Sequence, residues 1–127
     1  MNKIFILSIV CLLLISCSKP FDGAIQKEID EINENAPIQV DEITFLNSGY
    51  MNGDNIIFKY SVVTDGDDAL FKTTDFQRLQ TIALVDLYCL SPDTKIFRDY
   101  NKSITYSYYS NFGGFLTDIT IFPSDCY

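Results

Sequence analysis

The feature that most limits what this chain can become is an apolar run that stops at a cysteine. Ile4 to Ile15 is apolar apart from Ser8, and Lys3 supplies a positive flank. A bilayer span needs about 20 apolar residues, so this run is too short to cross a membrane. Its length and its basic flank are those of the apolar core of an export signal. The stop at Cys17 then fixes the compartment, and the compartment fixes how the remaining cysteines behave.

The order Leu14, Ile15, Ser16, Cys17 resembles the bacterial lipobox. That resemblance implies cleavage before Cys17, a diacylglycerol on its thiol and an acylated new amino terminus. Several acyl chains anchor stably where one binds only marginally. An ordinary secretory signal with a chance cysteine is the rival reading. Ser18, in place of aspartate, resembles the default outer-membrane address, with the folded part facing the periplasm. The expected organisation is therefore a cleaved lipoprotein signal peptide at 1–16, a lipidated tether at 17–22 and one folded domain at 23–127.

Loss of residues 1–16 from 127 leaves 111, enough for one core. Lys plus Arg falls from 9 to 8 against 17 Asp plus Glu, a net charge of −9. Such a surface repels phosphate backbones and argues against nucleic acid as a partner. Cys11 leaves with the signal and Cys17 carries lipid, so Cys89 and Cys126 remain in an oxidising compartment, where they are expected to pair. A loop of this length is credited with about 4 kcal/mol of stabilisation. The rival is a metal site, disfavoured because the chain has no histidine and no second cysteine pair.

The absence of histidine also removes Ser-His-Asp and Cys-His machinery. No G-x-x-x-x-G-K-[ST] or G-x-G-x-x-G motif is present, and Gly113-Gly114 reads as a turn. Thr64 to Asp68, TDGDD, lacks the spacing of a calcium loop and reads as a solvated acidic loop. Asp86 and Asp118 are acids outside loops and read as hydrogen-bonded or edge residues rather than a catalytic pair. The chain is read as not an enzyme, with no cofactor, no metal and no small-molecule substrate.

The pattern predicts the order α-β-β-α-α-β-β. Asp22 caps a helix over 23–35 with Ile25, Ile29 and Ile32 on one stripe, and Pro37 stops it. Residues 38–47 form a strand, with Ile43 and Phe45 opposed to Thr44 and Leu46. Residues 55–64 form another, with Ile56, Phe58, Tyr60 and Val62 on one face. Asn52-Gly53 marks a turn between them. Thr74 with Gln77 forms a capping box for a helix over 75–89, whose stripe is Phe76, Leu79, Ala83, Leu87 and Leu90. This helix, the most apolar, is expected to pack most deeply. Ser91-Pro92-Asp93 starts a short helix ending near Tyr100. Ser103 to Ser110 and Phe115 to Phe122 alternate as strands, with Phe115, Thr117, Ile119 and Ile121 opposed to Leu116, Asp118, Thr120 and Phe122. The fold class is α+β: a mostly antiparallel sheet of four to five strands with helices packed on one face. One disulfide ties the end of the central helix to the C-terminal hairpin, and the other face carries tyrosines and threonines.

Tyr60, Tyr106, Tyr108, Tyr109 and Phe112, with Leu79, are the candidate partner-binding residues. Tyrosine buries apolar area while keeping a polar tip, which suits an interface; filling a small core is the plainer reading of each. A helix lying in a groove between sheet and helices is one fitting mode, and edge-strand pairing is another.

The sequence runs from the lipobox cysteine through an acidic helix into NAPIQVDEITFLNSGY, then NIIFKYSVV, then FQRLQTIALVDLYCLSPDTKIF, then SITYSYYSNFGGFLTDITIFPSDC. In order and content it resembles the small type II secretion pilotin lipoproteins of the AspS type over most of the mature chain. The motif that carries the resemblance is Cys89 followed by Ser-Pro-Asp, a tyrosine-rich strand, Gly-Gly and Cys126. The resemblance implies an α/β domain with one disulfide that binds a helical C-terminal segment of a secretin subunit, while the lipid carries that subunit to the outer membrane. A periplasmic immunity or inhibitor lipoprotein, with an acidic surface plugging a basic cleft, is the alternative.

Overall fold

The computed structural model describes residues 20–126. Cys17 and the signal segment lie outside the described residues, as does the tether before Pro20. Helix α1 (Pro20–Asn35) leads into a short strand β1 (Ile38–Gln39), then β2 (Thr44–Asn52) and β3 (Asn55–Val62). Helix α2 (Thr74–Leu90) and the short α3 (Lys95–Asp99) follow, then β4 (Ser103–Ser110) and β5 (Phe115–Ile121). The five strands lie in the order β1-β2-β3-β4-β5. Three pairings are antiparallel, and the central pair, β3 with β4, is parallel. A parallel neighbour needs a crossover, and α2 and α3 supply it by carrying the chain back over one face.

The first hairpin is longer than alternation predicts. β2 runs to Asn52, so NSGYM is strand rather than loop. Asn52 pairs with Asn55, and the two-residue turn uses the positive φ of Gly53 (62°). A bulge between Leu46 and Ser48 shifts the register and brings Gly49 opposite Phe58. A Cβ on Gly49 would meet the Phe58 ring at 2.7 Å, so only glycine fits. The Asn33 side chain bridges α1 to this point, accepting from the Gly49 N–H (2.8 Å) and donating to its carbonyl (2.9 Å).

Ile25 and Ile29 of α1 are fully buried, and Ile32 packs against the same core. Asp22 is not an N-cap. It stands in the first turn of the described helix, 3.0 Å from Lys102 Nζ, which also meets Asp54 at 3.0 Å. Burial alone disfavours the Lys102 charge, but hydrogen bonds and attraction from the two carboxylates outweigh it and hold its pKa above the ordinary lysine value.

On α2 the cap is one residue earlier than predicted. The Thr73 oxygen accepts from the Phe76 N–H (3.2 Å), and the helix starts at Thr74. The buried face is also not the predicted stripe. Leu84 and Tyr88 are buried, whereas Leu79, Leu87 and Leu90 are exposed. At the C-terminal end Ser91 accepts from the Asp93 N–H, as the Ser-Pro-Asp motif predicts. Arg98 donates to the carbonyls of Tyr88 and Ser91, and the Thr94 hydroxyl donates to Tyr88 O (2.8 Å). These bonds satisfy carbonyls that the end of a helix leaves open. Cys89 is bonded to Cys126, with Cα atoms 5.6 Å apart, which ties the last turn of α2 to the turn following β5.

The second hairpin carries a bulge between Tyr108 and Tyr109. It reverses the predicted faces of two residues: Leu116 is buried, while Phe115 is exposed on the open face against Tyr109, ring centroids 5.6 Å apart. That face carries Tyr50, Tyr109, Thr105 and Thr120, with Thr105 and Thr120 hydroxyls 2.7 Å apart. Tyr60, Tyr106 and Tyr108 point to the helical side with Ile56, Phe58 and Ile104.

Candidate functional site

Helix α1 packs on β2 and α2 packs toward β5. Between the two helices the sheet is only partly roofed. Two adjoining cavities, of about 300 and 340 Å³, form one groove and share Tyr60 and Leu87. The inner cavity is walled by Ile32, Leu46, Phe58, Leu87, Phe97 and Tyr106, and the outer by Val40, Thr44, Ala83, Leu84 and Tyr108. Carboxylates stand at its lining: Glu28 and Asp93 at the inner cavity and Asp41 at the outer. Neither cavity is lined by a lysine or arginine. Leu87, 46% exposed, is the apolar rim common to both.

The floor is a tyrosine stack. Tyr60 lies over Tyr108 with ring centroids 5.2 Å apart, and over Tyr106 at 6.1 Å. The alternation of β3 and β4 puts these three on one face, and the parallel register sets Tyr60 beside Tyr108. Burial pushes the Tyr108 phenol up to about 12, although the Gln80 amide, donating to its oxygen at 3.0 Å, pulls the other way. Burial, reinforced by the neighbouring phenols, holds Tyr60 and Tyr106 still higher. All three therefore act as neutral groups. Tyr106 is 2% exposed and its buried hydroxyl has no hydrogen-bond partner. A buried polar group left unpaired costs about 1–3 kcal/mol.

Of the six residues singled out from sequence, the fold brings three together: Tyr60, Tyr106 and Tyr108. Leu79 is 60% exposed on α2, outside the groove lining. Tyr109 lies on the opposite face of the sheet, where its ring and that of Tyr50 flank Lys59 Nζ at 5.9 and 5.8 Å. Phe112, 80% exposed, stands at the β4–β5 turn. Ile32, Leu46, Leu84 and Val40 were not singled out. For Leu84 the signal is the surplus of apolar residues on α2, more than one sheet face can cover; Ile32, Leu46 and Val40 come from α1, β2 and the β1–β2 connection and meet it only in the fold.

A wider depression of about 490 Å³ lies on the open face. Its lining sets Lys59, Tyr60 and Tyr109 among serine, asparagine and glycine residues. Among the described residues no group of three or more His, Cys, Asp or Glu is placed so that it could hold a metal ion, and no helix is long and apolar enough to cross a membrane.

Solved structures share this arrangement of five strands and covering helices. The type II secretion system pilotin AspS from Vibrio cholerae superposes with a TM-score of 0.65 at 14% identity, over 89% of this chain and 98% of that one. The chain has the pilotin fold. EpsS, the pilotin of the Vibrio vulnificus type 2 secretion system, matches with a TM-score of 0.67 at 13% identity, over 86% of this chain and 94% of its own. A Pseudomonas aeruginosa protein described as secreted, PA3611, matches with a TM-score of 0.71 at 14% identity, over 84% and 93%. No family model and no curated sequence matches the chain. At these identities the pilotin fold is what is shared.

Proposed function

We propose that this chain is a lipid-anchored periplasmic binding protein. In this reading it grips the C-terminal segment of a secretin subunit and assists that subunit's targeting to, and assembly in, the outer membrane. The observation that carries the reading is the apolar groove between α1 and α2 in a domain of pilotin fold. The groove floor offers side chains rather than a free strand edge, so an occupant has to satisfy its own backbone hydrogen bonds. A helix does this, and helix-in-groove docking is an established recognition mode. In the same proposal Cys17 carries the acyl chains and Ser18 sends the protein to the outer membrane. The disulfide and the Arg98–Thr94 cap hold the C-terminal end of α2, and with it the Leu87 wall, in place.

Co-expression with the secretin tests the role. Secretin multimers are expected in the outer-membrane fraction with the wild-type chain and largely lost from it with an Ala83→Gln/Leu87→Gln double variant. Equal multimers with and without this protein would end the proposal. Labelled palmitate is expected to enter the wild-type chain and not a Cys17→Ala variant.

A further inference from the structure

Two features of the groove are not explained by apolar packing. Glu28, Asp41 and Asp93 come from three separate elements yet all reach its lining, with no cation among the lining residues. On its floor the Tyr106 hydroxyl is sealed from solvent without a partner, while every other buried side-chain polar atom among the described residues has one. Native proteins leave few such groups and each calls for an explanation; Tyr106 is also part of the inner cavity's lining.

Resting on the reading that this groove takes a helix, we propose the chemistry of that helix. It is amphipathic, with an aliphatic stripe flanked by lysine or arginine, and it carries one hydrogen-bonding side chain within the stripe that reaches the Tyr106 hydroxyl. The stripe packs on Ile32, Leu46 and Leu87. The flanking cations meet Glu28, Asp41 and Asp93, which speeds encounter and fixes polarity along the groove. The inserted polar group sets the register, because a slip by one turn leaves both it and Tyr106 buried and unpaired. A single polar group in an apolar seam fixes register in the same way in coiled coils.

The test uses protein expressed from the full chain and three synthetic helical peptides. The first has a leucine stripe flanked by lysines with one asparagine at its centre. The second has leucine in place of that asparagine, and the third has glutamates in place of the lysines. The asparagine peptide is expected to bind about 2- to 10-fold more tightly than the all-leucine one, the range of one neutral hydrogen bond. Tyr106→Phe is expected to abolish that preference without lowering the melting temperature, since it removes an unpaired group. The glutamate peptide is expected not to bind. A Glu28→Gln/Asp41→Asn/Asp93→Asn variant is expected to lose roughly tenfold in affinity for the lysine peptides and most of the salt dependence.

Equal binding of the lysine and glutamate peptides would overturn the charge assignment. An asparagine preference that is absent, or that survives Tyr106→Phe, would overturn the register assignment. Either failure beside secretin multimers that still depend on Ala83 and Leu87 sinks this inference alone. Loss of that dependence sinks the groove reading itself. Concentration-dependent self-association that disappears in Leu87→Gln would give the groove to a second copy of the chain and overturn the proposal.

Discussion

At Gly49 the backbone lies so close to Phe58 that a single added methyl has nowhere to go. Gly49→Ala is expected to cost about 1–3 kcal/mol in urea unfolding, as overpacking does, with loss of the Asn33 bridge raising the sensitivity of α1 to proteolysis. Unchanged stability would mean that Phe58 is free to swing aside. The tyrosines give a second prediction at this scale. Burial raises the phenols of Tyr60, Tyr106 and Tyr108, with Tyr108 at about 12, while unfolded tyrosine ionises near pH 10. The folded state thus holds its phenolic protons where the unfolded chain releases them. Their contribution is complete below pH ~10 and is lost as pH rises toward about 12. Lys102, also raised, acts in the same direction. Unfolding free energy measured from pH 8 to 12 is expected to stay level and then fall above ~10. A flat profile across that range would contradict the burial of this stack.

At the scale of elements, the strands with unbroken alternation were legible and the ones with bulges were not. Ile56, Phe58, Tyr60 and Val62, and Ile104, Tyr106 and Tyr108, sit as period two requires. The second half of β2 was hidden because the Leu46/Ser48 bulge resets the alternation and Gly49 interrupts the apolar face. Leu116 changed faces for the same reason. Helix α2 was misread because apolar residues occupy two of its sides. Periodicity cannot rank two apolar sides when both satisfy helical spacing. The contrast is measurable. Leu84→Ala is expected to cost about 2–5 kcal/mol and Leu79→Ala less than about 0.5, in thermal or urea unfolding of each variant. The reverse order would restore the stripe read from sequence.

For the molecule as a whole, the α+β class, the one-sided helical cover and the Cys89–Cys126 tie were readable from element order and cysteine count. The parallel pairing of β3 and β4 was not, since each strand reads as half of a hairpin and only the crossover through α2 and α3 sets the two hairpins side by side. The groove was half legible. Its three floor tyrosines share a face by alternation, but its walls come from α1, α2 and the β1–β2 connection, which meet only in the fold. Alternation along β4 already separates Tyr109 from them. Two residues of the α2 stripe that stay out of the core, Ala83 and Leu87, thus form part of one wall of the groove. Calorimetric titration of the secretin C-terminal segment into wild-type protein and into the Ala83→Gln/Leu87→Gln variant tests this directly. Saturable one-to-one binding is predicted for the wild type, with at least a tenfold loss in the variant at an unchanged melting temperature; equal affinity for the two proteins, or no binding to either, would contradict it.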